Sequence, residues 1–144
     1  MASKQKAQGR KFEHKWVLYF ATLFNYVVRK IDFTTKIPID NWQICRAEEV
    51  SQQLDNLGQD ILVKDSNFLF AIQIKSTTTK SQKSKPIDIQ PLKDLQCTED
   101  KIPLLCTSVL HIKKGNTRRT HYGDYITIKA EDFEKILKYK YEKE

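Results

Sequence analysis

Three polar residues, Asp60, Gln73 and Lys75, stand where two apolar, alternating runs could bring them together. The runs, residues 61–64 and 68–75, are parted by Asp65, Ser66 and Asn67, which suit a tight turn between antiparallel strands. A loop of Ser66 and Asn67 sets Asp65 against Phe68 and, stepping outward, Asp60 against Gln73. Opposed residues on one face have Cβ atoms roughly 4.5–5.5 Å apart, so a carboxylate and an amide oxygen could share one cation there. Lys75 follows on the same face, and Gly58, opposite it, leaves room for a backbone to approach. A hard cation such as magnesium takes oxygen ligands, acidifies a bound water and neutralises phosphate charge. An ammonium beside it could orient that water or steady the phosphorus transition state, so the chemistry indicated is metal-assisted phosphodiester hydrolysis.

Phe68, Phe70, Ile72 and Ile74 fall on the other side of this hairpin, which makes that side the core. The polar face also carries Leu62, Leu69 and Ala71, so it is not freely wetted, and polar groups among apolar ones need partners. A plainer reading makes Asp60 a strand start, with Gln73 and Lys75 on a solvated face. A further acid comes from residues 12–29, where Glu13, Val17, Phe20, Phe24 and Val27 recur at spacings of 4, 3, 4 and 3, the stripe of an amphipathic helix. Glu13 lies on its inner side, although a first-turn acid also suits the helix dipole. Glu48, Glu49 and Asp55 are rival carboxylates. His14, His111 and His121 stand at no mutual ligand spacing.

The pattern Gly58-Gln59-Asp60, twelve residues, then Gln73-Ile74-Lys75 resembles the PD-(D/E)xK nuclease superfamily, with Gln59 in place of the proline and Gln73 in place of the usual second acid. Gly9-Arg10-Lys11-Phe12-Glu13 is similar to the first-helix motif of archaeal and phage Holliday junction resolvases. The resemblance implies a restriction-endonuclease-like α/β fold, a mixed central sheet flanked by helices with an αβββαβ core. It implies Glu13, Asp60, Gln73 and the Ile74 carbonyl as ligands of magnesium, for which manganese could substitute, and Lys75 as the catalytic lysine with Ser76 following. It also implies a homodimer acting on junction DNA, in a cytoplasmic setting that includes the host cell of a phage.

The elements that must position these residues follow from periodicity. Residues 42–46 read as a short strand, 47–57 as a turn or two of helix stopped by Gly58, 89–97 as a short helix, 104–112 as a buried strand and 122–128 as an edge strand. Residues 130–141 close the chain as a helix with Phe133, Ile136, Leu137 and Tyr141 on one side. One domain of 144 residues is expected, with a flexible basic start at 1–9 and a mobile basic loop at 76–88.

Twenty-five Lys and Arg against eighteen Asp and Glu leave a net charge of +7, which favours polyanions through counterion release. Lys11, Ser76, Lys80, Lys83 and Lys85, with Lys113, Lys114, Arg118 and Arg119 on a second loop, are the expected DNA contacts; solvated loop charge is the equally simple alternative. The three cysteines show no zinc spacing and are expected as reduced thiols. The apolar stretch 16–24 is too short to span a bilayer, and no membrane partner is expected. The expectation is therefore a magnesium-dependent, structure-specific endodeoxyribonuclease, with a restriction- or repair-type duplex nuclease and an inactive DNA-binding module as alternatives.

Overall fold

Lys, Gln, Ala and Arg dominate the first residues, and no proline interrupts them, so helix formation has nothing local to oppose it. In the computed structural model, which describes residues 4–79, 87–112, 115 and 118–141, helix α1 accordingly runs Lys4–Phe24. The flexible start expected at 1–9 is thus corrected, because Lys4 to Gly9 are the opening turns of α1. The helix also ends before the expected residue 29. Asn25 takes a left-handed φ of 58°, and the Tyr26 N–H closes onto the Ala21 carbonyl at 2.9 Å.

The architecture is mixed α/β, with the strands divided between two sheets. Strands β1 (Ile44–Arg46) and β2 (Ile61–Val63) form an antiparallel pair with Cys45 opposite Leu62. Strands β3 (Phe70–Thr79), β4 (Ile102–Ile112) and β5 (Arg119–Thr127) form a mixed sheet in that order, β3 parallel and β5 antiparallel to β4. A single 3-10 turn, Ala47–Glu49, and helix α2 (Gln52–Asn56) link β1 to β2. Helix α3 (Gln90–Asp94) precedes β4, and helix α4 (Ala130–Tyr141) follows β5.

The expected hairpin of 61–64 with 68–75 is corrected: β2 pairs with β1, and β3 pairs along its length with β4, Ile74 lying opposite Cys106. Ala71, Ile72, Gln73 and Ile74 are all buried, so strict alternation is lost, as expected for a parallel strand covered on both faces. The mobile loop expected at 76–88 is partly strand. Residues 76–79 continue β3, where β-branched Thr77, Thr78 and Thr79 register against Val109, Leu110 and His111; Lys80, Lys83 and Lys85 lie outside the described residues.

One apolar cluster joins α1 to both sheets through Trp16, Val17, Phe20, Ile44, Ile61, Phe68, Ile72, Ile74 and Leu104. The helix stripe read from the sequence is the face that docks, and Trp16 Nε1 donates to Ser108 Oγ at 3.0 Å on β4. The α4 stripe behaves differently: Phe133, Leu137 and Tyr141 are exposed. Only Ile128 and Lys129 link β5 to α4, and Ile128 reaches the core in place of the helix. Cys45, Cys97 and Cys106 are free thiols, and among the described residues no helix is long and apolar enough to cross a membrane.

Candidate active site

Glu13 sits on α1 one turn before Val17, so the helix face that enters the core also carries this half-buried acid to its rim. Asp60 is fixed by backbone on both sides. Its N–H donates to the Ile72 carbonyl at 2.7 Å, and its carbonyl accepts the Ala47 N–H at 2.8 Å. Its carboxylate Oδ2 accepts the Ile74 N–H at 2.7 Å and the Gln73 Nε2 at 2.9 Å, leaving Oδ1 without a hydrogen bond among the described residues. The sequence expectation that Asp60 meets Gln73 is thus met in space, although one backbone bond replaces the ladder that was to enforce it. The pair is joined by a direct hydrogen bond in which the amide donates.

The Asp60 carboxylate only accepts, so it takes the amide nitrogen, and Gly58 leaves room for the oxygen. Gly58 stops α2 at φ 84°, and a Cβ added there would lie 2.8 Å from Gln73 Oε1. The amide therefore turns its oxygen toward Gly58 and its nitrogen toward Asp60. Gly58 faces Gln73, and not Lys75 as the hairpin register had it. Because Ile72 accepts from Asp60 and Ile74 donates to it, the edge of β3 away from β4 borders the site. N–H and C=O of one strand residue leave by the same edge, so the Ile74 carbonyl leaves by that edge too.

These residues border one cavity of about 520 Å³, lined by Glu13, Asp60, Gln73, Ile74, Lys75 and Ser76, together with Gly9, Arg10, Glu48, Gln52 and Asp55. A second cavity of about 420 Å³ shares Asp55, Asp60, Gln73 and Lys75 with it and extends past Gly58 to Pro91 and Asp94. Burial, then the Asp60 charge, pushes the Glu13 carboxyl up to about 7, and burial pushes Asp60 up to about 6 against the opposing Ile74 N–H and Lys75 ammonium. Two acids that resist ionisation in a polar cleft are what a charge-handling centre looks like. Among the described residues no three His, Cys, Asp or Glu side chains gather as a metal-holding group. Of the residues expected as ligands, the cavity offers the Glu13 and Asp60 carboxylates, the Gln73 amide and the Ile74 backbone carbonyl.

Of the rival acids, Glu48 and Asp55 enter the cavity, whereas Glu49 turns to the Arg46 N–H and the Arg29 guanidinium. Glu48 is held between Arg10 at 3.1 Å and Arg46 at 3.4 Å. The sequence reading quoted Arg10 in the first-helix motif but gave it no role in the site; its place one turn before Glu13 was the available signal. Of the expected DNA contacts, Ser76 lines the cavity, Lys11 is exposed on α1 outside it, and Arg118 and Arg119 are exposed where β5 begins. Lys113 and Lys114 lie outside the described residues. His121 lies beside Asp124 and Lys15, and neither His14 nor His111 lines the cavity.

Comparison with family models, with curated proteins and with solved structures returned no match.

Proposed function

We propose that the chain is a magnesium-dependent endodeoxyribonuclease acting on branched DNA, resembling a Holliday junction resolvase and built on a restriction-endonuclease-like version of its α/β architecture. The observation that carries this reading is the convergence of Glu13, Asp60, the free edge of β3 at Ile74, and Lys75 on one cavity. The donors are all oxygen, which suits magnesium or manganese. The raised carboxyls are acids whose charge the protein's own cations leave undercompensated, a condition that a divalent cation relieves. Asp60 Oδ1, the Glu13 carboxylate and the Ile74 carbonyl would hold it, and Gln73 offers a neutral oxygen. Such a cation, when bound, acidifies a water and neutralises phosphate charge.

The chain's own residues supply the rest. Gln73 and the Ile74 N–H hold Asp60 Oδ2, which leaves Oδ1 as the carboxylate oxygen without a hydrogen bond among the described residues. Lys75 brings an ammonium to the phosphate, and Ser76 a hydroxyl. Parallel pairing of Thr79 with His111 makes β3 and β4 end together, at the end of the sheet where Arg119 opens β5 against Ile112 with Arg118 before it; by sequence Lys80, Lys83, Lys85, Lys113 and Lys114 add to the basic residues expected to meet phosphate. Their charge and the excess of +7 suit a sequence-independent grip on phosphates. Two symmetric cuts in a junction require two copies, hence a homodimer.

One observation favours a second reading, a silent DNA-binding module: the Gln73 amide already satisfies Asp60 by donating to it, as a structural pair would. A cleavage assay on synthetic four-way junction, linear duplex and single strands, with magnesium or manganese, separates these. Paired symmetric nicks in the junction alone support the resolvase reading. Equal cutting of the duplex supports a restriction- or repair-type nuclease. Absence of cutting with either metal, and no difference between wild type and Asp60→Ala, refutes the enzyme.

A further inference from the structure

Helix α4 has two different faces. Asp132 and Ile136, one turn apart, lie on the side that the body of the protein covers, Asp132 buried and Ile136 half-buried. Phe133, Leu137 and Tyr141, again at successive turns, form a neighbouring line that stands open to solvent, at 49%, 39% and 70% exposure. A helix of twelve residues is marginal in water by propensity alone, and the packing of an apolar stripe is what holds such helices. Here that stripe is left over.

The charges of α4 say what fits it. The acids Glu131, Asp132 and Glu134 come first and the lysines Lys135, Lys138 and Lys140 after them, so the helix is neutral as a whole, acidic at its start and basic at its end. Asp132 and Lys135 answer each other within the helix at 3.4 Å, whereas Glu134 and Lys138 form no ion pair among the described residues. A phosphate backbone or an anionic lipid surface selects a net basic helix. A neutral helix with its charge divided end to end selects a partner whose charge runs the opposite way.

A second α4 laid antiparallel is such a partner. With Leu137 on the twofold axis, Phe133 of each copy stands level with Tyr141 of the other, and the stripe covers itself. At about 100° per residue Glu134 and Lys138 flank the stripe on one side, so each Glu134 comes within a turn of Lys138 in the other copy.

We propose that the stripe Phe133, Leu137 and Tyr141 is the surface through which two copies of this chain pair, with their α4 helices antiparallel about Leu137. The pairing gives a place to the homodimer that the nuclease reading calls for, yet it stands on α4 alone, so either can fail without the other. Three apolar side chains from each copy fall below the roughly 1,200 Å² of a stable interface, which sets the pair among weak, concentration-dependent contacts with a dissociation constant of about 10–500 μM.

The test is sedimentation equilibrium of the full chain from about 10 μM to 1 mM, a range that brackets such constants. Wild type should move from 16.9 kDa toward twice that mass, and Leu137→Lys should abolish the shift. Glu134→Lys alone and Lys138→Glu alone should each weaken pairing by about three- to tenfold, because two such contacts form in every dimer, and the double reversal should restore it. All three positions are exposed, so the wild-type melting temperature is expected throughout. Leu137→Cys, in a Cys97→Ser background with Cys45 and Cys106 buried, should link two chains on air oxidation, and Glu131→Cys should not. A wild-type chain that stays at 16.9 kDa overturns the inference, as does a dimer that Leu137→Lys leaves intact. Charge reversals that fail to compensate, or equal linking at positions 131 and 137, overturn it by removing the antiparallel register. A chain that remains monomeric but sediments with vesicles of anionic lipid through α4 overturns it in favour of a membrane surface. In each case the cleavage assay above still decides the nuclease reading.

Discussion

Replacing Asp60 by Asn should make the metal-free protein more stable at pH 8 while removing its metal response. Burial lifts the Asp60 carboxyl from its ordinary 3.8 to about 6, so the folded state binds the proton more tightly than the unfolded chain does. The sign is therefore opposite to that of a salt-bridged acid. The charge penalty is absent below 3.8, grows as the pH climbs toward 6 and is complete above it. At about 1.4 kcal/mol per pH unit the displacement amounts to about 3 kcal/mol, and water in the open cavity and the loss of charge-assisted bonds from Ile74 and Gln73 reduce the net gain to about 1–2 kcal/mol. An Asn oxygen can still accept from both donors. For a domain of this size the gain corresponds to a rise of roughly 3–6 °C in melting temperature. Thermal melts at pH 8 and pH 4, with and without magnesium, read the effect. The variant should melt above wild type at pH 8 without metal, match it near pH 4 and fail to respond to magnesium, which should stabilise wild type. An Asn variant that melts below wild type at pH 8 would refute the reasoning, because Asp60 would then be held for the fold and not for a charge.

Three further outcomes follow from the same geometry. Manganese affinity of the wild-type chain should rise with pH through the window of about 6 to 7 in which Asp60 and Glu13 lose their protons, and flatten above it, as titrations between pH 5 and 8 would record. Gly58→Ala should destabilise the fold by about 1–2 kcal/mol, since an L residue is forced to φ 84° and its Cβ meets Gln73 Oε1 at 2.8 Å; a denaturant midpoint equal to wild type would contradict that placement. Lys75→Ala, at an exposed position, should leave the melting temperature unchanged and should not weaken manganese binding while lowering junction cleavage by roughly 100-fold or more, measured under single-turnover conditions.

The helical stripe of α1 and the acid on it were legible because an amphipathic helix writes its buried face into local spacing, and Trp16, Val17 and Phe20 are buried where that spacing puts them. The nearness of Asp60 to Gln73 and Lys75 was legible too, since a short connection leaves the chain few ways to separate them. The partner of each strand was not. A three-residue apolar strand such as Ile61–Val63 carries no mark of what it pairs with, and long-range packing sends it to Ile44–Arg46 and gives β3 to β4. The α4 stripe likewise named a face without naming a surface to cover it. The direction of the Gln73 amide and the two arginines that occupy Glu48 depend on residues up to 38 positions apart, as for Arg10 and Glu48. By itself the sequence determined which residue types could do chemistry on one short stretch. Only the tertiary structure decided which carboxylates are free to do it, because charge compensation is settled by neighbours in space.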